Sequence, residues 1–116
     1  MAKYEVNQDG VTHARKLIDD RQVDTSTEWS TAAPSTDEEN RWIDTEGYDG
    51  YGRWHIAIDI EASEKTKSRY GFPYGDFSKV NRAALIHAKQ RAAQNDHDQL
   101  EKAADTLLKR VDALDG

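Results

Sequence analysis

The chain contains no cysteine among its 116 residues. Disulfide bonds, thiolate zinc sites and cysteine nucleophiles are therefore excluded, and the fold must rest on packing. The chain also lacks an apolar run of membrane-spanning length, and its first residues lack the apolar core of a signal peptide. We therefore expect a cytoplasmic protein with no membrane partner.

The composition lies on the polar side of the globular range, with 36% hydrophobic and 33% charged residues. A chain of 116 residues can bury one modest core but is too short for a separate catalytic domain. We expect a single domain over 1–116. Within it, we expect a flexible lead-in over 1–9, an irregular loop over 21–36 and a helical hairpin over 81–115.

The clearest structural pattern runs from Arg53 to Glu61, where large apolar residues recur at every second position. This alternation predicts a half-buried strand. One face would be apolar and turned inward: Trp54, Ile56, Ile58 and Ile60. The opposite face would carry Arg53, His55, Ala57, Asp59 and Glu61.

Helical spacing recurs near both ends of the chain. Apolar residues from Val11 to Ile18 predict an N-terminal amphipathic helix, for which Asp9 is a candidate cap. Asn81 is the expected cap of a helix over 82–94, and the apolar repeat from Leu100 to Leu114 predicts a second helix after a break at 95–98. The short connector makes these two helices an antiparallel αα-hairpin.

The segment between the first helix and the strand gives weaker signals. Ser35 stands three residues before Glu38 at capping-box spacing, which predicts a brief helix over 37–43. We interpret the glycine-punctuated stretch 46–52 as a turn. Trp29 is the one large residue of the preceding loop; it either packs into the core or serves as an exposed docking residue for a partner.

Together these patterns predict an α+β fold. A small antiparallel sheet or hairpin around residues 52–60 would be packed by the C-terminal αα-hairpin and the N-terminal helix. The aromatic residues cluster between Trp42 and Phe77, so we place the core there.

Charge is distributed unevenly around the net value of −6. Between residues 65 and 91, seven basic residues stand against a single acid, Asp76. This segment either forms a basic patch or pairs with the acidic ends of the same chain. The surface hypothesis is a basic aromatic rim that binds an acidic protein partner and comprises Arg69, Tyr74, Lys79, Arg82 and Lys89.

Two alternatives use other chemistry. The basic segment 65–91, interleaved with aromatic residues, could instead bind nucleic acid by stacking bases and contacting phosphates. The strand face with His55, Asp59 and Glu61 could serve a metal-dependent or acid/base enzyme. The four histidines have no metal-ligand spacing, so we expect no metal and no cofactor; they are His13, His55, His87 and His97.

Part of the sequence is similar to a known group of proteins. The similarity covers most of residues 14–112, and its most specific pieces are the run Tyr70-Gly71-Phe72-Pro73-Tyr74 and the following Asn81 helix. These pieces resemble a small uncharacterised domain family that accompanies tailed-phage and prophage genes, sometimes beside capsid-maturation proteins. No activity is established for that family, so the resemblance implies a module of mobile DNA and assigns no catalytic residues. We therefore expect a non-enzymatic protein-interaction or structural module.

Overall fold

The computed structural model describes residues 3–115 as a single α+β domain, which confirms the predicted fold class. The strands are β1 (Tyr4–Val6), β2 (Val23–Asp24), β3 (His55–Asp59), β4 (Tyr70–Pro73) and β5 (Val80–Asn81). The helices are α1 (Gln8–Asp19), α2 (Trp29–Ala32), α3 (Thr36–Gly52), α4 (Arg82–Gln94) and α5 (Asp98–Asp112). None of the helices between residues 3 and 115 combines the length and hydrophobicity that a membrane crossing requires.

β3 is the central strand of a three-stranded antiparallel sheet, with β1 on one edge and β4 on the other. Four of its five residues are buried, so both faces of the strand are covered. The prediction of a half-buried strand is wrong in this respect. His55 and Asp59, expected at the solvent face, are buried, whereas Ile60, expected in the core, is 45% exposed.

The C-terminal αα-hairpin forms as predicted, and α4 and α5 pack against each other along their length. The Asn81 side chain caps α4 by accepting a hydrogen bond from the Ala84 amide at 2.9 Å. Apolar side chains from α1, β3 and the hairpin meet in one core, and its fully buried members include Ile18, Ile56, Leu85, Leu100 and Leu107. The hairpin therefore closes over the central strand, as the sequence predicts.

Helix α3 is longer than predicted. The capping box of Ser35 and Glu38 is present, with reciprocal bonds of 3.1 and 3.2 Å. The helix then continues beyond 43 through the predicted turn at 46–52, broken only at Gly47, where φ is 77°. Gly50 and Gly52 are buried helical residues. The glycines therefore mark a kink at Gly47 and a closely packed helix end at Gly50 and Gly52. Packing of the helix end outweighs the low helix propensity of glycine.

Two further predictions on chain organisation are corrected. The lead-in at 1–9 was expected to be flexible, but β1 pairs with β3 and α1 begins at Gln8, with Asn7 rather than Asp9 at the cap position. Residues 1 and 2 lie outside the described residues. The loop 21–36 contains β2, which pairs with β5 in parallel, and the single-turn helix α2, which carries Trp29.

Candidate functional site

His55, at the start of β3, lies at the floor of a small cleft. The residue is 4% exposed, and its Nδ1 atom lies 3.0 Å from the Tyr51 carbonyl oxygen. Because a carbonyl oxygen only accepts hydrogen bonds, Nδ1 carries the proton of the neutral ring and Nε2 carries a lone pair. Nε2 has no hydrogen-bond partner among residues 3–115.

His55 lines the cleft, and the exposure of its Nε2 atom follows from the hydrogen bonds of the buried polar atoms. In the described part of the chain, every fully buried side-chain nitrogen or oxygen atom has a hydrogen-bond partner. An Nε2 atom without a partner therefore retains accessible surface. We infer that this surface faces the cleft, because His55 lines this cleft and neither of the larger clefts described below. The strand thus contributes an acceptor atom to an opening whose other lining side chains, apart from Glu39, are apolar.

The cleft has a volume of about 120 Å³ and is lined mainly by flat apolar groups. Its lining comprises Trp29, Ala33, Pro34, Glu39, Trp54, His55, Pro73, Gly75 and Phe77. Trp29 and Pro34 come from α2 and the segment that follows it, and Pro73 lies directly opposite His55 in the β3–β4 register. Three separate regions of the chain therefore converge on one opening, which we call the His55 cleft.

Phe77 forms the wall between the His55 cleft and a second cleft of about 290 Å³ beside Trp42. Its backbone is in the left-handed region, with φ of 71°, which is strained for a bulky aromatic residue. The Phe77 ring stacks on Trp42 with ring centroids 4.9 Å apart, and the Trp42 indole N–H donates to the Gly50 carbonyl. This stacking holds the strained residue in place.

Glu39 at the rim of the His55 cleft takes part in a short polar chain. It accepts hydrogen bonds from the Tyr51 hydroxyl at 3.3 Å and from the Lys67 ammonium group at 3.2 Å. Burial and the nearby Glu39 carboxylate raise the pKa of Tyr51, so this phenol stays protonated. The Glu39 charge is thereby neutralised by Lys67, and the rim carries little net charge.

The chemistry of the His55 ring follows from its burial. Desolvation lowers the pKa of His55 to about 4, against the opposing effect of the Tyr51 and Gly52 carbonyls. A general base works best with a pKa near the operating pH, so a ring with this pKa is a weak proton acceptor at pH 7. It remains neutral and available as a hydrogen-bond acceptor, which suits binding better than proton abstraction.

The predicted acid/base group does not come together. Residues 55 and 59 are four positions apart on a strand, which separates them by roughly 13 Å. The Asp59 carboxylate accepts hydrogen bonds from the Lys3 and Glu61 backbone amides, at 3.2 and 3.0 Å, and so holds the end of the sheet. Glu61 is exposed beyond the strand. Of the three, His55 therefore lines the cleft described above, and Asp59 and Glu61 do not.

The predicted basic aromatic rim also fails to form one surface. Tyr74 is fully buried, and its hydroxyl donates to the Arg53 carbonyl at 2.6 Å. Arg82 makes a bidentate ion pair with Asp112, and Lys89 pairs with Asp105 at 2.9 Å. Arg82 and Lys89 of α4 thus pair with acids of α5, so the intramolecular interpretation of the charge asymmetry holds for these two residues.

The two remaining members of the rim lie apart from α4. Arg69 donates to the Ala62 carbonyl at 2.8 Å and lines a polar cleft of about 390 Å³ that contains both acids and arginines. Lys79 is exposed, and its amide closes a turn on the Asp76 carboxylate. No hydrogen bond or ion pair between residues 3 and 115 links these residues to Arg82 or Lys89.

No group of three or more histidine, aspartate or glutamate side chains within the described range could hold a metal ion. His13 instead packs edge-on against Trp54, and His97 packs against Tyr4 and Phe72.

Comparisons with protein-family models, with curated proteins and with solved structures each give no match to this chain. The resemblance to a phage-associated family therefore stays a prediction. The site is described from its own geometry.

Sequence reasoning missed the His55 cleft as a unit. Its walls come from residues 29–39, 54–55 and 73–77, which no linear motif connects. The sequence feature that pointed to this region was Trp29, which we expect either to pack into the core or to serve as an exposed docking residue. In the structure Trp29 is half-buried at the cleft, in keeping with both.

Proposed function

We propose that this chain is a non-enzymatic protein-interaction module whose binding surface is the His55 cleft with the adjoining Phe77 and Trp42 rings. The partner inserts a side chain of a short segment into the cleft. This keeps the class of function that the sequence predicts and replaces the basic rim with an aromatic surface.

The observation that carries the proposal is the convergence of Trp29, Pro34 and Phe77 on one accessible opening. Tryptophan and other rigid aromatic residues are enriched among the residues that dominate binding energy at protein interfaces.

Two features favour binding over catalysis. The ring of His55 is too weakly basic at pH 7 to act as an efficient general base. The nearest acidic side chain at the cleft, Glu39, is already engaged by Tyr51 and Lys67. The cleft therefore offers an apolar shape and a hydrogen-bond acceptor on His55, and no activated nucleophile.

A selection from a random-peptide display library tests the proposal. The immobilised wild-type protein is the bait, and each enriched peptide is then measured against Trp29→Ala and against Phe72→Ala. Phe72 is a matched control because it is also half-buried and aromatic but packs beside Tyr4 and His97, away from the cleft lining.

We expect enriched peptides to bind the wild type and Phe72→Ala equally and to lose at least tenfold in affinity for Trp29→Ala. Folding of both variants is checked by circular dichroism. Enrichment of peptides that bind Trp29→Ala as tightly as the wild type would refute the proposed surface. Failure to enrich any peptide would refute the proposed function.

A further inference from the structure

The lone pair on His55 Nε2 restricts the occupant of the cleft in addition to the shape of the cleft. His55 is 4% exposed, and its other ring nitrogen is committed to the Tyr51 carbonyl. An apolar occupant would bury Nε2 without a partner and incur the desolvation cost of an unsatisfied acceptor. The occupant that fits must therefore carry a hydrogen-bond donor at its leading end.

The size and walls of the cleft restrict the occupant further. An apolar cavity of about 150 Å³ holds one benzene molecule, and the His55 cleft has a similar volume of about 120 Å³. Its walls are the flat faces of Trp29, Pro34 and Phe77, which suit a planar ring. A serine or threonine side chain would leave most of this space empty, and an indole is larger by a fused ring.

Charge narrows the choice to a neutral donor. An ionised carboxylate has only acceptor oxygens and cannot donate a hydrogen bond to the Nε2 lone pair. Lys67 already neutralises Glu39, so a cationic side chain gains little there. A phenol meets every condition, because it is a single ring that is neutral at pH 7 and has its O–H donor at the tip.

We infer that the His55 cleft binds the phenol ring of a tyrosine side chain on the partner protein, with the tyrosine hydroxyl donating to His55 Nε2. This inference rests on the proposed function, because it names the anchor residue of the same surface. The Trp29, Pro34 and Phe77 faces enclose the ring, and the single acceptor at the floor selects tyrosine over phenylalanine.

The test compares p-cresol with toluene, the side-chain analogues of tyrosine and phenylalanine, which differ by one hydroxyl group. Each is titrated into the ¹⁵N-labelled wild-type protein at pH 7, and the Trp29 indole N–H signal is followed by NMR. A net hydrogen bond is worth about fivefold in affinity, so we expect p-cresol to bind at least fivefold more tightly than toluene.

A variant and a peptide pair extend the test. His55→Phe retains a ring but has no acceptor, so it should bind both compounds with equal affinity. In a display-selected peptide, changing the anchor tyrosine to phenylalanine should weaken binding to the wild type by at least fivefold. The compound comparison on the wild type stands even if His55→Phe fails to fold.

The outcomes separate the two proposals. A fivefold preference for p-cresol, lost in His55→Phe, supports the tyrosine anchor. Equal binding of p-cresol and toluene at Trp29, or selected peptides without tyrosine that still require Trp29, would overturn the tyrosine anchor and leave the interaction surface in place. Absence of any ligand or peptide response at Trp29 would overturn both.

Discussion

His55 should make the stability of the protein strongly dependent on pH between about 7 and 4. Burial lowers its pKa in the folded state to about 4, whereas an unfolded histidine has a pKa of about 6.5. Below pH 6.5 the unfolded chain therefore takes up a proton that the folded chain does not. Stability falls with pH wherever the unfolded state binds more protons, so acidification through this window destabilises the fold.

The magnitude follows from the difference between the two pKa values. A difference of one pKa unit corresponds to 1.36 kcal/mol, so the full effect is about 3 kcal/mol and roughly 2 kcal/mol of it is reached by pH 4.5. Because His55 is almost completely buried, solvent screening reduces this value little. A loss of this size is a large fraction of the stability of a small domain.

Urea unfolding followed by tryptophan fluorescence at pH 7.0 and pH 4.5 measures the effect. His55→Asn is the informative variant, because its amide can still donate near the position of Nδ1 and does not titrate. The wild type should lose roughly 2 kcal/mol more than His55→Asn over this interval. His87→Asn, at an exposed position of α4, is the matched control and should follow the wild type.

A pH profile of His55→Asn parallel to that of the wild type would refute the assignment of a buried neutral ring. The window of the measurement avoids the carboxylates of the surface ion pairs. Arg110 and Arg82 hold the pKa values of Asp19 and Asp112 below their usual range, so those pairs lose their stabilising effect only at lower pH.

Three further substitutions test how the fold supports the site. Ser35→Ala removes the capping box of α3 and should lower the free energy of unfolding by about 1 kcal/mol, measured by urea denaturation. Asn81→Ala removes a buried cap and should cost about 2 kcal/mol in the same assay, with helix content checked by circular dichroism. Gly10→Ala places a Cβ atom 2.0 Å from the His55 carbonyl oxygen, so α1 must shift; we expect a loss above about 2 kcal/mol and altered NMR signals in β3. A neutral result at any of these positions would contradict the packing described for that element.

Sequence patterns predict the structure correctly where the interactions that determine it lie close together in the chain. The cap at Asn81, the capping box at Ser35 and the apolar stripe of α5 each lie within a few residues of the structure they specify. The helix boundaries 82–94 were accordingly predicted as the structure has them. In such segments, helix termini and periodicity depend on neighbours that the sequence shows directly.

Sequence patterns give wrong predictions where the burial of a residue depends on packing against segments far away in the chain. The alternation around His55 is typical of a half-buried strand, and it could not show that both faces of β3 are covered. Tyr74 was placed at a surface rim because it stands among basic residues, yet its hydroxyl is satisfied by the Arg53 carbonyl in the interior. A single residue's environment was decided in both cases by an element far away along the chain.

The candidate site illustrates the same limit. Trp29 could be singled out because it is the one large residue in a polar stretch, but Pro34, Pro73 and Phe77 gain their role only when three segments meet. The open acceptor on His55 depends on the Tyr51 carbonyl that fixes the tautomer. No sequence pattern encodes that contact, so the proposed acceptor of the site emerges only from the fold.

The most direct test of the account is the protonation state of His55, read from its ring nitrogens by long-range ¹H–¹⁵N NMR. At pH 7 the account predicts a neutral ring with the proton on Nδ1 and a bare Nε2, and this form should persist to pH 5. On addition of p-cresol, the bare Nε2 signal should shift toward that of a hydrogen-bonded nitrogen. A proton on Nε2, or a charged ring at pH 5.5, would contradict the account.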